Sequence, residues 1–175
     1  MAYNPKYDII EEDGNSQPLN IEQSHHLIHK GELFFVYDSA SLGSAASKVY
    51  TIITPSSSGA VHFLYETVAT GECSIVLRED AVLSNNGTTL TNQNRNRNAV
   101  NTSTATITHT PTVTTPGNVV FSIAIGTGQR IGGESRSVDE LVLKANTKYT
   151  YTVTSNAATN NVVTKFNWYV RELNY

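Results

Sequence analysis

Residues 60–70 read AVHFLYETVAT, and the fold turns on the alternation inside them. A period of two puts Val61, Phe63, Tyr65 and Thr67 on one face and His62, Leu64, Glu66 and Val68 on the other. That is the pattern of a strand. Working outward, the same character returns in ELFFVYD (32–38), SKVYTIIT (47–54) and ECSIVLRE (72–79). It returns again in NVVFSIAI (118–125), DELVLK (139–144), KYTYTVTS (148–155) and NVVTKFNWYVRE (161–172). ATITHTPTV (105–113) adds a strand whose end Pro111 confines to a sheet edge. Turn signals separate these runs: SASLGSAA (39–46), PSSSG (55–59), Gly71, and SNAATNN (155–161), which reads as a hairpin loop. Roughly eight or nine short strands so spaced predict an all-β protein, and that number favours a jelly-roll-like β-sandwich.

The bulk numbers agree. A chain of 175 residues fits one domain with a core of its own. Ser, Thr and Asn are abundant from residue 84 onward, as strands and turns require. Charged residues are 15% and the net charge is −3, a balance that argues against a general nucleic-acid binder. No apolar run approaches the roughly 18 residues of a membrane span. The start, MAYNPKYDIIEEDG, lacks a secretion pattern, so the expectation is a soluble protein made in the cytoplasm. The single cysteine, Cys73, excludes an internal disulfide and reads as a small core residue of its strand.

The first 38 residues differ from the rest. Asp8, Glu11, Glu12, Asp13, Glu22, Glu32 and Asp38 stand against Lys6 and Lys30, a net −5 that leaves +2 for the remainder. EEDGNSQPLN is polar and turn-rich, yet Tyr3, Tyr7, Ile9, Ile10, Leu19, Ile21, Leu27 and Ile28 are many apolar residues for a tail in water. Residues 1–38 therefore read as an extended arm that docks on its own body or a neighbour, and 39–175 as the sandwich body. A second irregular stretch, SNNGTTLTNQNRNRNAVNTST (84–104), is long and polar. If it is extended, Arg95 and Arg97 face the same way and can grip carboxylates or phosphates.

No concentration of chemistry emerges. EQSHHLIHKG (22–31) brings His25, His26 and His29 together, and His25 and His29 would share a helical face. The spacing resembles the zinc hydrolase motif H-E-x-x-H, but His26 stands where the general base belongs. His62 and Glu66 share a face with Leu64 between them, and His109 lies apart, so no cupin-like metal cluster forms. GTGQRIGGESRSVDE (126–140) lacks the Lys-Ser or Lys-Thr of a phosphate loop, and its charges, Glu140 among them, read as solvated. There is no G-x-S-x-G elbow. The expectation is a protein that is not an enzyme and holds no cofactor or metal.

The run IEQSHHLIHKGELFFV, then NRNRN followed by THTPTV, then GGESR and LVLKANTKYTYTVTS together resemble the small decoration, or cement, proteins of tailed-bacteriophage heads. The resemblance extends from about residue 20 to the end. It implies a β-sandwich body, often trimeric, with an arm on the capsid shell, bridging subunits against the pressure of packed DNA. The expected partners are then the major capsid protein and further copies of this chain in a homotrimer, with no nucleic acid and no membrane. The location would be the outer capsid surface of a virion assembled in the host cytoplasm. The candidate contacts are Tyr3, Tyr7, Ile9, Ile10, His25, His26, Leu27, Ile28 and His29 in the arm, and Arg95 and Arg97 in the loop. The competing reading is a jelly-roll carbohydrate- or receptor-binding module, for which Trp168 and nine tyrosines offer stacking faces.

Overall fold

The computed structural model describes residues 9–12, 15–18, 23–56, 59–126, 130–132 and 140–172. In chain order these form strands β1 (Ile9–Glu12) and β2 (Asn15–Pro18), helix α1 (Gln23–Lys30), then β3 (Phe34–Gly43), β4 (Ser47–Ile53) and β5 (Gly59–Ala69). Next come β6 (Cys73–Glu79), β7 (Val82–Asn85), β8 (Thr88–Thr89), β9 (Gln93–Asn94), β10 (Thr106–His109) and β11 (Thr112–Thr115). The chain continues through β12 (Asn118–Ile125), β13 (Arg130–Gly132), β14 (Leu141–Leu143), β15 (Lys148–Ser155) and β16 (Thr159–Glu172).

The fold is all-β, with two large antiparallel sheets packed face to face. One has the order β12-β6-β15-β4-β10-β8. The other runs β13-β5-β16-β3-β9, with β14 also beside β5. The alternation read in residues 60–70 holds: Val61, Phe63, Tyr65 and Thr67 are buried between the sheets. From β16 come Val162, Thr164, Phe166 and Trp168; from the facing sheet come Tyr50, Ile52, Ile75, Leu77, Ile107, Tyr151 and Val153. Phe166 is the hub, its ring 5.3 Å from Tyr50 and Phe63 and 5.1 Å from Tyr151. Cys73 lies in this core, and burial pushes its thiol up. Trp168 is fully buried and donates its indole N–H to Ser103 Oγ at 2.7 Å, so it is a core residue and not a stacking face.

Several boundaries differ from the sequence reading, each for a physical reason. SASLGSAA is mostly strand: β3 runs on to Gly43, with Leu42 buried, Ala40 half-buried and Ser39 and Ser41 exposed, a period of two written in small residues. Phe34 to Asp38, placed at the end of the arm, are the first half of β3 and pair with β16. SNAATNN is no hairpin loop, because β15 and β16 belong to different sheets and residues 156–158 turn the corner between them. ATITHTPTV is broken into β10 and β11 at Thr110, which takes a positive φ of 54°.

That break belongs to a larger device. β7 and β11 form a two-stranded ribbon that continues the β6–β12 pair. At each end it is kinked by a glycine facing a positive-φ residue: Gly117 (φ 80°) against Asp80 (φ 60°), and Gly87 (φ 89°) against Thr110. A Cβ on Gly117 would meet Glu79 O at 2.1 Å, and one on Gly87 would meet His109 O at 2.2 Å. The ribbon leaves the sheet beside Lys148, where Ala81 N–H donates to Lys148 O, and rejoins it where Thr110 N–H donates to Val49 O. These levels lie at different heights on β15 and β4, so the ribbon crosses the outer face diagonally. The crossing accounts for Thr51 and Thr150, which lie on that outer face and are nonetheless buried.

The interior tyrosines set a testable pH dependence. Burial holds Tyr50, Tyr149 and Tyr151 above their ordinary value of 10.0, with the Asp38 charge adding to the effect at Tyr50. The unfolded chain loses these protons first, so this stabilisation is full below about pH 10 and is lost above it. The urea midpoint should stay level from about pH 7 to 9 and fall by about pH 11. Tyr151→Phe should flatten the fall, whereas a wild-type midpoint that holds at the alkaline end contradicts the assignment.

Candidate functional site

The histidine run and the asparagine-rich loop, separated by more than sixty residues, meet on the outer face of the β5–β16–β3 sheet. HHLIHK makes up the last six residues of α1, a helix of eight residues that Gly31 follows. Eight residues are marginal alone, so packing and capping must hold them. Leu27, Leu33 and Tyr169 form a buried cluster, and Ile28 packs against it half-buried. The helix closes with a Schellman turn: Gly31 N–H donates to Ile28 O at 2.9 Å and Glu32 N–H to Leu27 O at 3.0 Å, with Gly31 at φ 68°.

Three carbonyls remain without helical partners, and the loop supplies a donor for each. Asn96 Nδ2 donates to His29 O at 3.0 Å, Asn101 Nδ2 to Lys30 O at 3.1 Å, and Asn94 Nδ2 to Gly31 O at 2.7 Å. The loop is shaped by its own asparagines. Asn94 Oδ1 accepts from Asn96 N–H at 2.8 Å, and Asn96 Oδ1 from Asn98 N–H at 3.1 Å. NRNRN is therefore bent and not extended, so the condition for a paired grip is not met and the two arginines act separately. Arg95 lies over the Phe35 ring at 5.2 Å and donates from Nη2 to Asn167 Oδ1 at 2.6 Å. Arg97 is exposed and donates to Gln93 Oε1 at 2.7 Å. Arg95 thus pins the loop to β16.

The histidines divide by surroundings. His25 and His29 are exposed and stacked at 4.6 Å, with their Nε2 atoms 2.7 Å apart, so one ring donates and the other accepts. His26 is half-buried. His109 Nδ1 is 3.2 Å from Lys48 Nζ, which pairs with Asp38 at 2.9 Å. His62 Nδ1 lies 2.5 Å from Glu140 Oε1, which also accepts from Tyr169 OH at 2.7 Å, and the His62 and Tyr169 rings stack at 4.4 Å. Glu140 is therefore not the solvated loop charge its sequence context suggested: its side chain is 12% exposed. It joins the start of β14 to β5 and β16. Among the described residues no group of three His, Cys, Asp or Glu side chains is placed to hold a metal ion.

Of the remaining sequence candidates, Ile9 and Ile10 are in β1, which pairs with β2 in the register Ile9↔Pro18 and Ile10↔Gln17. Tyr3 and Tyr7 fall outside the described residues. Asn94, Asn96, Asn101, Asn167 and Glu140 escaped the sequence reading as contact residues. Alternating asparagines signalled turns, but not that their amides serve a distant helix end. No protein-family model matches this sequence, and no curated protein is significantly similar to it.

The clamp makes two substitutions costly. A Cβ at Gly31 would lie 2.4 Å from the Ala99 methyl, on a backbone that L residues avoid. Gly31→Ala should cost at least about 1 kcal/mol. Asn94→Ala leaves the Gly31 carbonyl without its buried partner and should cost about 1–3 kcal/mol. Because both act on one helix end, the double variant should lose less than the sum. Chemical denaturation of the four proteins checks this, and additive losses would separate the loop from the helix.

Proposed function

We propose that this chain is a structural protein of a tailed-phage virion, which decorates and stabilises the outside of the capsid by bridging capsid subunits. The observation that carries the reading is an arm on a firm anchor. Among the described residues the β1–β2 hairpin pairs with neither large sheet, and the next described element is α1, which three asparagines and a leucine cluster clamp to the body. An element meant to transmit load from a shell to a rigid domain needs such an attachment. The runs behind the sequence resemblance, HHLIHKG and NRNRN, are the two halves of that clamp.

In this reading the body is a jelly roll. The orders β3-β16-β5-β14 and β4-β15-β6-β12 support it: chain-consecutive strands β3 to β6 alternate between sheets, and β15 and β16 close the middle of each. The kinked ribbon is then an insertion between β6 and β12. The partners are the major capsid protein and further copies in a homotrimer, on the virion surface, and catalysis has no part. Repetition on a symmetric shell makes weak contacts tight, which suits a surface without one dominant site.

A carbohydrate- or receptor-binding module is favoured by one feature. Of the described Phe, Tyr and Trp side chains, Tyr37 alone is exposed, at 56%, and Lys165, which is paired with Glu66, lies over it. A glycan array with the Tyr37→Ala variant as control addresses that reading.

The capsid reading predicts that the purified protein sediments with heads of the encoding phage that lack it. A chain without residues 1–22 should stay folded and lose the heads. Truncated protein that binds as well as full-length protein would remove the arm from shell binding, and full-length protein that never sediments with heads would end the capsid reading.

A further inference from the structure

Strand β3 has one finished side and one unfinished side. β16 pairs with it from Phe34 to Gly43, whereas β9 covers the opposite side only at Phe34 and Phe35. The direction of each backbone group follows from the ladder. Arg95 N–H donates to Leu33 O, so Leu33 points toward β9, and by alternation so do Phe35, Tyr37, Ser39 and Ser41. Beyond Phe35 there is no β9 to receive them. Among the described residues no backbone hydrogen bond reaches the outer side of Tyr37, Ser39 or Ser41, and all three side chains are exposed. Next to this edge, on the outer face, Tyr37, Val163 and Val68 are 56%, 42% and 41% exposed. Val163 pairs with both Ser39 and Val68, so the apolar strip runs inward from the edge.

A row of free donors and acceptors beside an apolar strip is a template for one more strand. The same chain carries a candidate. The β1–β2 hairpin is paired only with itself among the described residues, and two strands alone are at best marginal in water. Its strands, IIEE and NSQP, are not equivalent. Pro18 lacks an N–H, which suits β2 to the outside of a sheet and leaves β1, with its two isoleucines, to join it.

We infer that β1 of one copy adds to the open edge of β3 on a second copy, between Val36 and Gly43, as a sheet-extending strand. The joint is heterologous, a donor hairpin on one subunit meeting an acceptor edge on the next, and such joints close into rings when the rotation permits. A homotrimer is the smallest ring that is not a mutual exchange. The inference rests on the self-association in the reading above and not on the shell.

Cysteine pairing tests it, since adjacent antiparallel strands bring Cα atoms within disulfide range and the native Cys73 is buried. One chain carries Ile10→Cys; a second carries Tyr37→Cys, Ser39→Cys or Ser41→Cys in turn. Mixing and mild oxidation should give a covalent dimer of the two different chains at one or more positions. Ser39→Pro in an otherwise native chain removes an outward N–H, and light scattering should show its mass falling to that of a monomer with an unchanged circular-dichroism spectrum. Three results would overturn the inference: no bridge between the two different chains while a single chain given both cysteines bridges to itself, a native chain that is monomeric, or an oligomer that persists in Ser39→Pro without any cross-link. The last would leave self-association standing through another surface, and binding to phage heads would be untouched by any of them.

Discussion

β16 is the element on which the rest depends. It is hydrogen-bonded on both sides, to β3 and to β5, for most of its length. Its inward residues Val162, Thr164, Phe166 and Trp168 supply the middle of the core, and Phe166 touches three aromatic rings. A buried aromatic of this kind contributes about 3–5 kcal/mol against truncation to alanine. Because β16 cannot shift register without turning these side chains to water, its outward residues are held in place as firmly as the inward ones.

Those outward residues are the attachment points. Asn167 receives Arg95 from the asparagine loop, and Tyr169 meets both Glu140 and the two leucines, Leu27 of α1 and Leu33 just after it. Lys165 lies over Tyr37 and near Glu66. The outer face is thus built in order: core strand, pinned loop, and helix clamped by the loop. Each layer is small and polar, and each hydrogen bond in it is worth about 1 kcal/mol net. The layers share one foundation, β16. The β7–β11 ribbon treats the opposite face differently, covering buried threonines with a strand pair bent at two glycines.

Local alternation made the strands legible. AVHFLYETVAT and NVVTKFNWYVRE declare both faces within their own length, and both are strands of the predicted kind. What could not be read depends on partners far along the chain. The bend at Asp80 is set by Gly117, and the bend at Thr110 by Gly87. The asparagines of NRNRN show a turn-forming composition, but their targets are carbonyls of residues 29–31. Glu140 looks solvated in a run of glycines and charges until His62 and Tyr169 are brought beside it. SASLG hid a strand because Ala40 is a weak inward signal and serines suggest a turn. Leu27 and Ile28 showed that the histidine run carries side chains to bury, whereas the short helix they stabilise needed the remote caps.

Strand β3 leaves the sandwich with an open edge beyond Phe35. Amide hydrogen exchange, resolved by residue and measured on the full chain at low and high protein concentration, tests it most directly. Exchange along β16 should be slow at every concentration. Exchange at Tyr37, Ser39 and Ser41 should be fast in the dilute protein and slow together as copies assemble. Slow exchange at those three amides in the isolated monomer, or fast exchange that persists in the assembled protein, would contradict it.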